Sequence, residues 1–257
     1  MAEADRFSMH GRTVLVTGAS SGLGRHFALT LAAAGAKVAI AARRTDRLAA
    51  LADEIRAAGG VAVPVVLDVT KPSAVTAAFD TAVAALGPLD VVVNNAGVPS
   101  NSWFLKTTEE EWRQVMSVNL DGVFRVGQEA ARRMKASGKG GSIINIASIL
   151  GFAVSKTLSP YCASKAAVVS LTKAMALELA RDKIRVNALA PGYFPTEMND
   201  GHFDTPAGQK LLGNVPMGRP GHLREIEGPL LLLASDAGAF MTGSVITVDG
   251  GHLINFG

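Results

Sequence analysis

Thr13-Val14-Leu15-Val16-Thr17 runs without interruption into Gly18-Ala19-Ser20-Ser21-Gly22-Leu23-Gly24, and an Ala- and Leu-rich stretch follows to about residue 34. The first five residues are those of a buried strand and the last stretch those of a helix, so the glycines between them form a tight strand-to-helix turn. Without a Cβ, Gly18 permits the sharp turn, Gly22 lets backbone approach a pyrophosphate, and Gly24 lets the helix pack closely on the sheet. A phosphate placed there meets free N–H groups and the positive end of the helix dipole. Gly18, Ser20, Ser21, Gly22, Leu23 and Gly24 are therefore the candidate phosphate cradle of a dinucleotide. The spacing is GxxxGxG and not GxGxxG, so the weight rests on the strand before and the helix after.

The same alternation continues outward. Short apolar runs at Thr13–Thr17, Lys37–Ala41, Val61–Leu67, Leu89–Val93, Ser142–Ile146, Ile184–Leu189 and Ser244–Val248 are separated by helix-sized stretches around residues 22–34, 46–58, 72–86, 108–137, 160–182 and 223–235. The runs are almost continuously apolar, as strands buried on both faces of a parallel sheet are. This predicts an α/β fold, a single-domain Rossmann-like doubly wound seven-stranded parallel sheet with helices on both faces. No linker, charge block or repeat divides residues 1–257, which read as one dinucleotide-binding catalytic domain. The long irregular stretch Pro191 to Gly221 carries five prolines; it reads as a substrate lid over about residues 192–221, or else as a surface excursion.

Composition narrows the function classes. Hydrophobic residues at 48% against charged residues at 18% exclude a charge-rich disordered chain. The 27 glycines exceed the roughly 7% of average usage, and Gly18, Gly22, Gly24, Gly97, Gly192, Gly250 and Gly251 cluster at strand ends, where backbone would meet a ligand. Charges total 25 basic and 22 acidic and are scattered, so no nucleic-acid partner is expected. No uncharged apolar run reaches the roughly 18 residues of a membrane span, and residues 1–9 carry Glu3 and Asp5 where a secretory peptide would be apolar. The lone cysteine, Cys162, reads as a packing residue in a reducing cytoplasm. No ligand spacing points to a metal, so the chemistry is expected to be metal-free.

In many dinucleotide sites a carboxylate about 20 residues past the glycines binds the ribose 2′-OH. Here the second strand ends Ala41-Ala42-Arg43-Arg44. The carboxylate position is apolar, and two guanidinium groups suited to phosphate follow it. Arg43 and Arg44 thus predict NADP(H) in preference to NAD(H), with NAD(H), or two solvated helix-start charges, as the alternative. Further on, Ser159-Pro160-Tyr161-Cys162-Ala163-Ser164-Lys165 opens a helix in which Ser159 suits the N-cap and Pro160 the first position. Tyr161 and Lys165 stand one turn apart on one face. A free tyrosine titrates near about 10, and a nearby ammonium lowers that value, which makes a proton carrier. Alone, the pair reads first as a helix-capping tyrosine with a surface lysine.

Context decides between those. Asn94-Asn95-Ala96-Gly97 follows the fourth strand, Asn119 lies in Ser117-Val118-Asn119-Leu120, and Ser148 ends Asn145-Ile146-Ala147-Ser148. Pro191-Gly192-Tyr193-Phe194-Pro195-Thr196 follows the sixth strand, and Gly243 to Gly251 closes the series. In this order the motifs resemble the short-chain dehydrogenase/reductase family over nearly the whole chain, including its 3-oxoacyl reductases and gluconate 5-dehydrogenases. The resemblance implies a catalytic set of Asn119, Ser148, Tyr161 and Lys165. Tyr161 would exchange a proton with the substrate oxygen and Ser148 would hold that oxygen. Lys165 would lower the tyrosine pKa and bind the nicotinamide ribose, and Asn119 would position a water. It also implies Asp68 and Val69 beside the adenine, Asn95, Ala96 and Gly97 along the ribose, Pro191 and Gly192 in the same pocket, and Thr196 at the pyrophosphate or carboxamide. Asp68 reads equally as a cap for the helix near Pro72.

The implied reaction is hydride transfer between a nicotinamide and a carbonyl or secondary alcohol, coupled to proton transfer. A ketone or 3-oxoacyl reductase using NADPH is the expectation, with an NAD-dependent alcohol or sugar-acid dehydrogenase as the alternative. A non-catalytic dinucleotide sensor or scaffold is the competing class, against which the intact four-residue set argues; an extended-type epimerase or dehydratase would need a larger substrate domain. The lid mixes Phe194, Met198, Phe203, Leu211 and Leu212 with Glu197, Asp200 and Asp204, which fits a partly apolar small molecule, and His202 reads as an exposed loop residue. From Ala166 to Leu179 the helix is apolar almost all round, through Val168, Val169, Leu171, Met175, Leu177 and Leu179, and such a helix wants a second partner. Family members pair such helices between protomers, so a homo-oligomer, in the usual case a tetramer, is expected.

Overall fold

Seven parallel strands, β1 (Thr13–Thr17), β2 (Lys37–Ala42), β3 (Val61–Val66), β4 (Val91–Asn94), β5 (Gly141–Ile146), β6 (Ile184–Pro191) and β7 (Val245–Val248), form one sheet in the order β3-β2-β1-β4-β5-β6-β7. The structure, a computed structural model, describes residues 6–197 and 201–255. Chain order reverses between β1 and β4, where Val14 lies opposite Val38 on one side and Val91 on the other. At such a reversal the loops at the carboxyl ends of neighbouring strands diverge and leave a crevice.

Among the described residues there are eight α-helices, α1 (Gly22–Ala33), α2 (Thr45–Ala57), α3 (Pro72–Leu86), α4 (Glu109–Met116), α5 (Gly122–Ser137), α6 (Ser159–Leu179), α7 (Pro206–Gly213) and α8 (Glu227–Ala234), and all but α4 and α7 cover the two faces of the sheet. Phe27, Leu31, Leu48, Ile55, Leu230 and Leu233 bring α1, α2 and α8 onto one face of the sheet. Phe79, Val126, Met134 and Ala176 bring α3, α5 and α6 onto the other. This is the doubly wound arrangement expected from the strand and helix alternation.

Burial on both faces holds for the interior of the sheet alone. Every residue of β1 and β4 is buried, but Val61 and Val66 of β3 are exposed and β7 has no buried residue, because both strands lie at an edge. Pro64 is accommodated in β3 for the same reason, since an edge strand has one row of backbone groups outside the ladder.

The single helix expected over residues 108–137 is interrupted by a π-helical turn at Ser117–Asp121, where the Gly122 N–H reaches the Ser117 carbonyl. Backbone on either side stays in the right-handed helical region, so hydrophobic periodicity gives no sign of the wider turn. Helix α6 begins at Ser159 itself, with Leu158 in the capping position, so Ser159 is not the N-cap. The stretch after β6, expected to be an irregular lid, is less irregular than that: it holds a short 3₁₀ turn at His202–Asp204 and α7, capped by Thr205, whose hydroxyl accepts the Gly208 N–H at 3.1 Å. Met198, Asp200 and the side chain of His202 lie outside the described residues.

Helix α6 also absorbs most of its own apolar surface. Val168 and Val169 are buried, while Leu171, Met175 and Leu179 pack against the core, and of that set Leu177 alone is exposed. Contacts with α4 and α5 as well as the sheet account for this. Its outer face is small or polar, with Ala163, Ala166, Ser170 and Ala174 beside Leu177. Among the described residues, no helix is long and apolar enough to cross a membrane.

Candidate active site

A cavity of about 450 Å³ opens at the carboxyl ends of the central strands. Every site residue assigned above lines it except Gly24 and Asn119, which lie directly behind its wall. One end is the glycine-rich turn after β1, the candidate phosphate turn. Ser21 holds the N-cap position of α1 in extended conformation yet makes no side-chain cap bond, so the first N–H groups of the helix have no capping acceptor, and Gly22 and Leu23 line the cavity. These donors fit an anionic phosphate. Arg44 packs over the turn, donating to Ser20 Oγ from Nε at 3.1 Å and to Ser21 Oγ from Nη2 at 2.6 Å.

Three expected ribose and adenine contacts carry structural duties as well. The Asn95 amide donates to the Thr17 carbonyl at 3.1 Å, and the Thr17 hydroxyl accepts the N–H groups of Asn95 and Ala96 at 3.0 and 3.1 Å. Asn95 thus ties the loop after β4 to the turn after β1 and offers the cavity mainly backbone. Asp68 Oδ1 accepts the hydroxyl and the N–H of Thr70 at 2.7 and 3.0 Å. Those bonds, with weaker help from Arg43, hold its carboxyl below the ordinary value. The capping position of α3 belongs to Lys71, so Asp68 shapes a turn and does not cap that helix.

At the other end stand Ser148, Tyr161 and Lys165. Ser148 follows β5, accepts the Leu150 N–H at 3.1 Å, and hydrogen-bonds the Tyr161 hydroxyl. Buried Lys165 sits with Nζ 5.5 Å from the Tyr161 ring centre and donates to the Ile146 carbonyl at 2.7 Å. Asn119 lies in the π turn, its Oδ1 accepting the Val98 N–H at 2.8 Å and its Nδ2 donating to the Val98 carbonyl at 2.9 Å and Ser164 Oγ at 3.3 Å. The amide implied to position a water is thus engaged with protein through both donors and its oxygen. Ser164 in turn donates to the Tyr161 carbonyl at 2.7 Å, so Asn119 joins the loop after β4 to the start of α6.

Electrostatics at this end differ from the expectation. Burial pushes the Tyr161 phenol up to about 12, opposed by the Ser148 hydrogen bond and reinforced by Cys162 and Tyr193. Burial also brings the Lys165 ammonium down to about 8. The lysine does not lower the tyrosine in this arrangement, because its ammonium faces the Ile146 carbonyl and the ring, and burial dominates for both groups. Near neutrality Tyr161 is therefore a protonated phenol, the state required of a proton donor.

Sequence reasoning missed Ser164, and it read Glu197 only as a lid charge. Glu197 reaches the cavity wall and pairs with Arg44 at 3.6 Å and with Arg47, from which it is separated by 150 positions. No local signal marks such a pair. Also unannounced was the buried chain in which Asn94 donates to Asn145 and Asn145 to Thr172, both at 2.9 Å, locking β4, β5 and α6 together behind the site.

The family model of the short chain dehydrogenases matches residues 12–207. Gluconate 5-dehydrogenase of Gluconobacter oxydans is 38% identical over 256 residues, covering 99% of this chain and 100% of the relative. The 3-oxoacyl-acyl-carrier-protein reductase FabG of Thermotoga maritima is 37% identical over 246 residues, 96% and 99% of the two chains. A crystal structure of a gluconate 5-dehydrogenase from Burkholderia cenocepacia in complex with NADP and tartrate is 42% identical and superposes with a TM-score of 0.92 over 96% of this chain and 97% of that one. With the doubly wound sheet and the Ser148, Tyr161 and Lys165 wall already in place, these similarities establish that the chain is an oxidoreductase belonging to the short-chain dehydrogenase family.

Proposed function

We propose that the protein reduces a ketone to a secondary alcohol with NADPH and catalyses the reverse oxidation with NADP, as one catalytic domain whose residues about 192–221 cover the substrate. The observation that carries this is Tyr161, hydrogen-bonded to Ser148 and beside Lys165, on one wall of the cavity whose far end is the uncapped start of α1. Gly18, Ser20, Ser21, Gly22 and Leu23 would hold the pyrophosphate, Arg43 and Arg44 the 2′-phosphate, and Asp68, Val69, Asn95, Ala96 and Gly97 the adenosine. Pro191, Gly192 and Thr196 would close over the nicotinamide end. When bound, the nicotinamide supplies or accepts the hydride.

Protein groups then handle the oxygen. Ser148 and Tyr161 hold the carbonyl by hydrogen bonds, and Tyr161 gives its phenolic proton to that oxygen as negative charge develops on it. The Lys165 ammonium, held on the Ile146 carbonyl beside the Tyr161 ring, would bind the nicotinamide ribose hydroxyls. Asn119 keeps the loop at Val98 and the start of α6 in register with these groups.

NADPH is favoured by the apolar end of β2 followed by two guanidinium groups, and the NADP complex of the Burkholderia cenocepacia enzyme supports it. A 3-oxoacyl thioester is the first substrate reading. A sugar acid is the second, favoured by the full-length similarity to gluconate 5-dehydrogenase. A panel of acyl thioesters, sugar acids and aryl ketones, each followed by nicotinamide absorbance with both cofactors, is expected to show turnover with at least one class and a lower KM for NADPH than for NADH. A lower KM for NADH would overturn the cofactor assignment. We further infer a cytoplasmic homo-oligomer, in the family's usual form a tetramer, with the exposed Leu177 and the alanine face of α6 meeting another copy.

The pH dependence follows from Lys165. Its ammonium, brought down to about 8, is present below that pH and lost above it, whereas Tyr161 keeps its proton to about 12. The kcat/KM for ketone reduction is therefore expected to be level on the acid side and to fall as pH rises through about 8. A profile level from pH ~6 to ~10 would remove Lys165 from the mechanism.

A further inference from the structure

Glu197 stands among the arginines expected to hold the 2′-phosphate of the cofactor. It follows Thr196 on the segment leaving β6, lines the cavity, and places its two carboxylate oxygens against two guanidinium groups, Oε2 3.6 Å from Arg44 Nη1 and Oε1 against Arg47 Nη1. Arg44 is the residue whose remaining nitrogens lie on Ser20 and Ser21 of the phosphate turn. Arg47 sits one turn further along α2, and Arg43, which acts on Asp68, is the third cation of the group. A carboxylate bridging two arginines presents two anionic oxygens to two forks, the same recognition that a phosphate monoester uses. We propose that Glu197 is a built-in counter-ion occupying the 2′-phosphate position between Arg44 and Arg47, and that Arg47 with Glu197 sets how strongly the protein distinguishes 2′-phosphorylated from unphosphorylated adenine nucleotides. The proposal rests on the NADP(H) reading and deepens it.

The competition is direct. A phosphate dianion entering between the two arginines meets a like charge and must displace it, so part of the binding free energy of the phosphate goes into breaking the Glu197 pairs. An unphosphorylated ribose meets no such repulsion. All three side chains are about half exposed. Pairs of that kind are weak and screened by salt, which keeps Glu197 displaceable. Because Glu197 sits at the root of the lid, its release would also free one tie between the lid and α2.

Calorimetric titration with adenosine 2′,5′-bisphosphate and with 5′-AMP tests this without turnover. At low salt, Glu197→Gln is expected to tighten the bisphosphate about threefold to tenfold and to leave AMP within twofold. The gain should shrink in about 0.5 M salt, where the Debye length falls to a few Å. Arg47→Gln is expected to weaken the bisphosphate about threefold or more, again sparing AMP. Equal effects of Glu197→Gln on both nucleotides, or none on either, would overturn the proposal. If Arg44→Gln abolishes discrimination while the Glu197 and Arg47 variants keep it, the counter-ion role falls and the cofactor reading stands. If the wild type does not discriminate but Glu197→Gln does, the counter-ion role stands and the NADP(H) preference falls.

Discussion

Tyr161→Phe is expected to lower kcat for ketone reduction by about 10²- to 10⁴-fold, the range set by removing a positioned proton donor. The substitution keeps the ring. That ring packs against the buried cluster of Ile149, Leu150 and Cys162, and this packing does not need the hydroxyl. Ser148 loses one partner but still accepts the Leu150 N–H, so the loss of stability is limited to about 1 kcal/mol. Dinucleotide binding should stay within about twofold, since the phosphate turn and Arg44 lie at the far end of the cavity. Because the lost proton transfer acts only as charge develops, kcat and kcat/KM should fall together, with KM little changed. Steady-state rates and a parallel nucleotide titration separate these quantities. Turnover within tenfold of wild type would assign the proton to another group and overturn this mechanism.

The turn after β1 was legible because its signal is local: a β-branched run, glycines and an amphipathic stretch adjoin in sequence, and each maps directly onto a backbone conformation. Gly18 has φ +66°, a left-handed value that other residues seldom adopt, and a Cβ there would lie 2.9 Å from the Ala96 Cα. The Tyr161 and Lys165 spacing was legible for the same reason, one helical turn being a fixed distance. What was hidden depends on the fold. The ammonium of Lys165 was expected to lower the Tyr161 phenol, but spacing says nothing of burial, which the sheet and helices create and which moves both groups the other way. Asn119 could be picked out by its motif, yet that its amide is spent on Val98 and Ser164 follows from a π turn that leaves periodicity intact. Glu197 and Arg47 meet only because β6 and β2 end on the same side of one sheet.

Gly24→Ala is expected to cost both stability and dinucleotide affinity, although alanine is ordinarily the better helix former. A Cβ at residue 24 would stand 2.3 Å from the Gly18 carbonyl oxygen, a backbone atom, and 2.3 Å from Asn95 Nδ2, the end of a hydrogen-bonded side chain. Gly18 belongs to the turn itself. Asn95 is held by its bond to the Thr17 carbonyl at 3.1 Å, so relief requires α1 to lift from the turn or the loop after β4 to withdraw. Overpacking of this kind costs about 1–3 kcal/mol, sometimes more. In a chain of this size that corresponds to a fall in Tm of about 3–10 °C. The same displacement shifts the Gly22 and Leu23 N–H groups away from the phosphate, and calorimetric titration should show dinucleotide affinity reduced about tenfold or more. Gly213→Ala provides the contrast. Gly213 lies exposed at the end of α7, outside the left-handed region and with nothing within 4 Å of an added Cβ, so there the gain in helix propensity acts without a clash and Tm should stay level or rise. If Gly24→Ala melts and binds like wild type, the close approach of α1 to the turn is not what requires glycine at position 24.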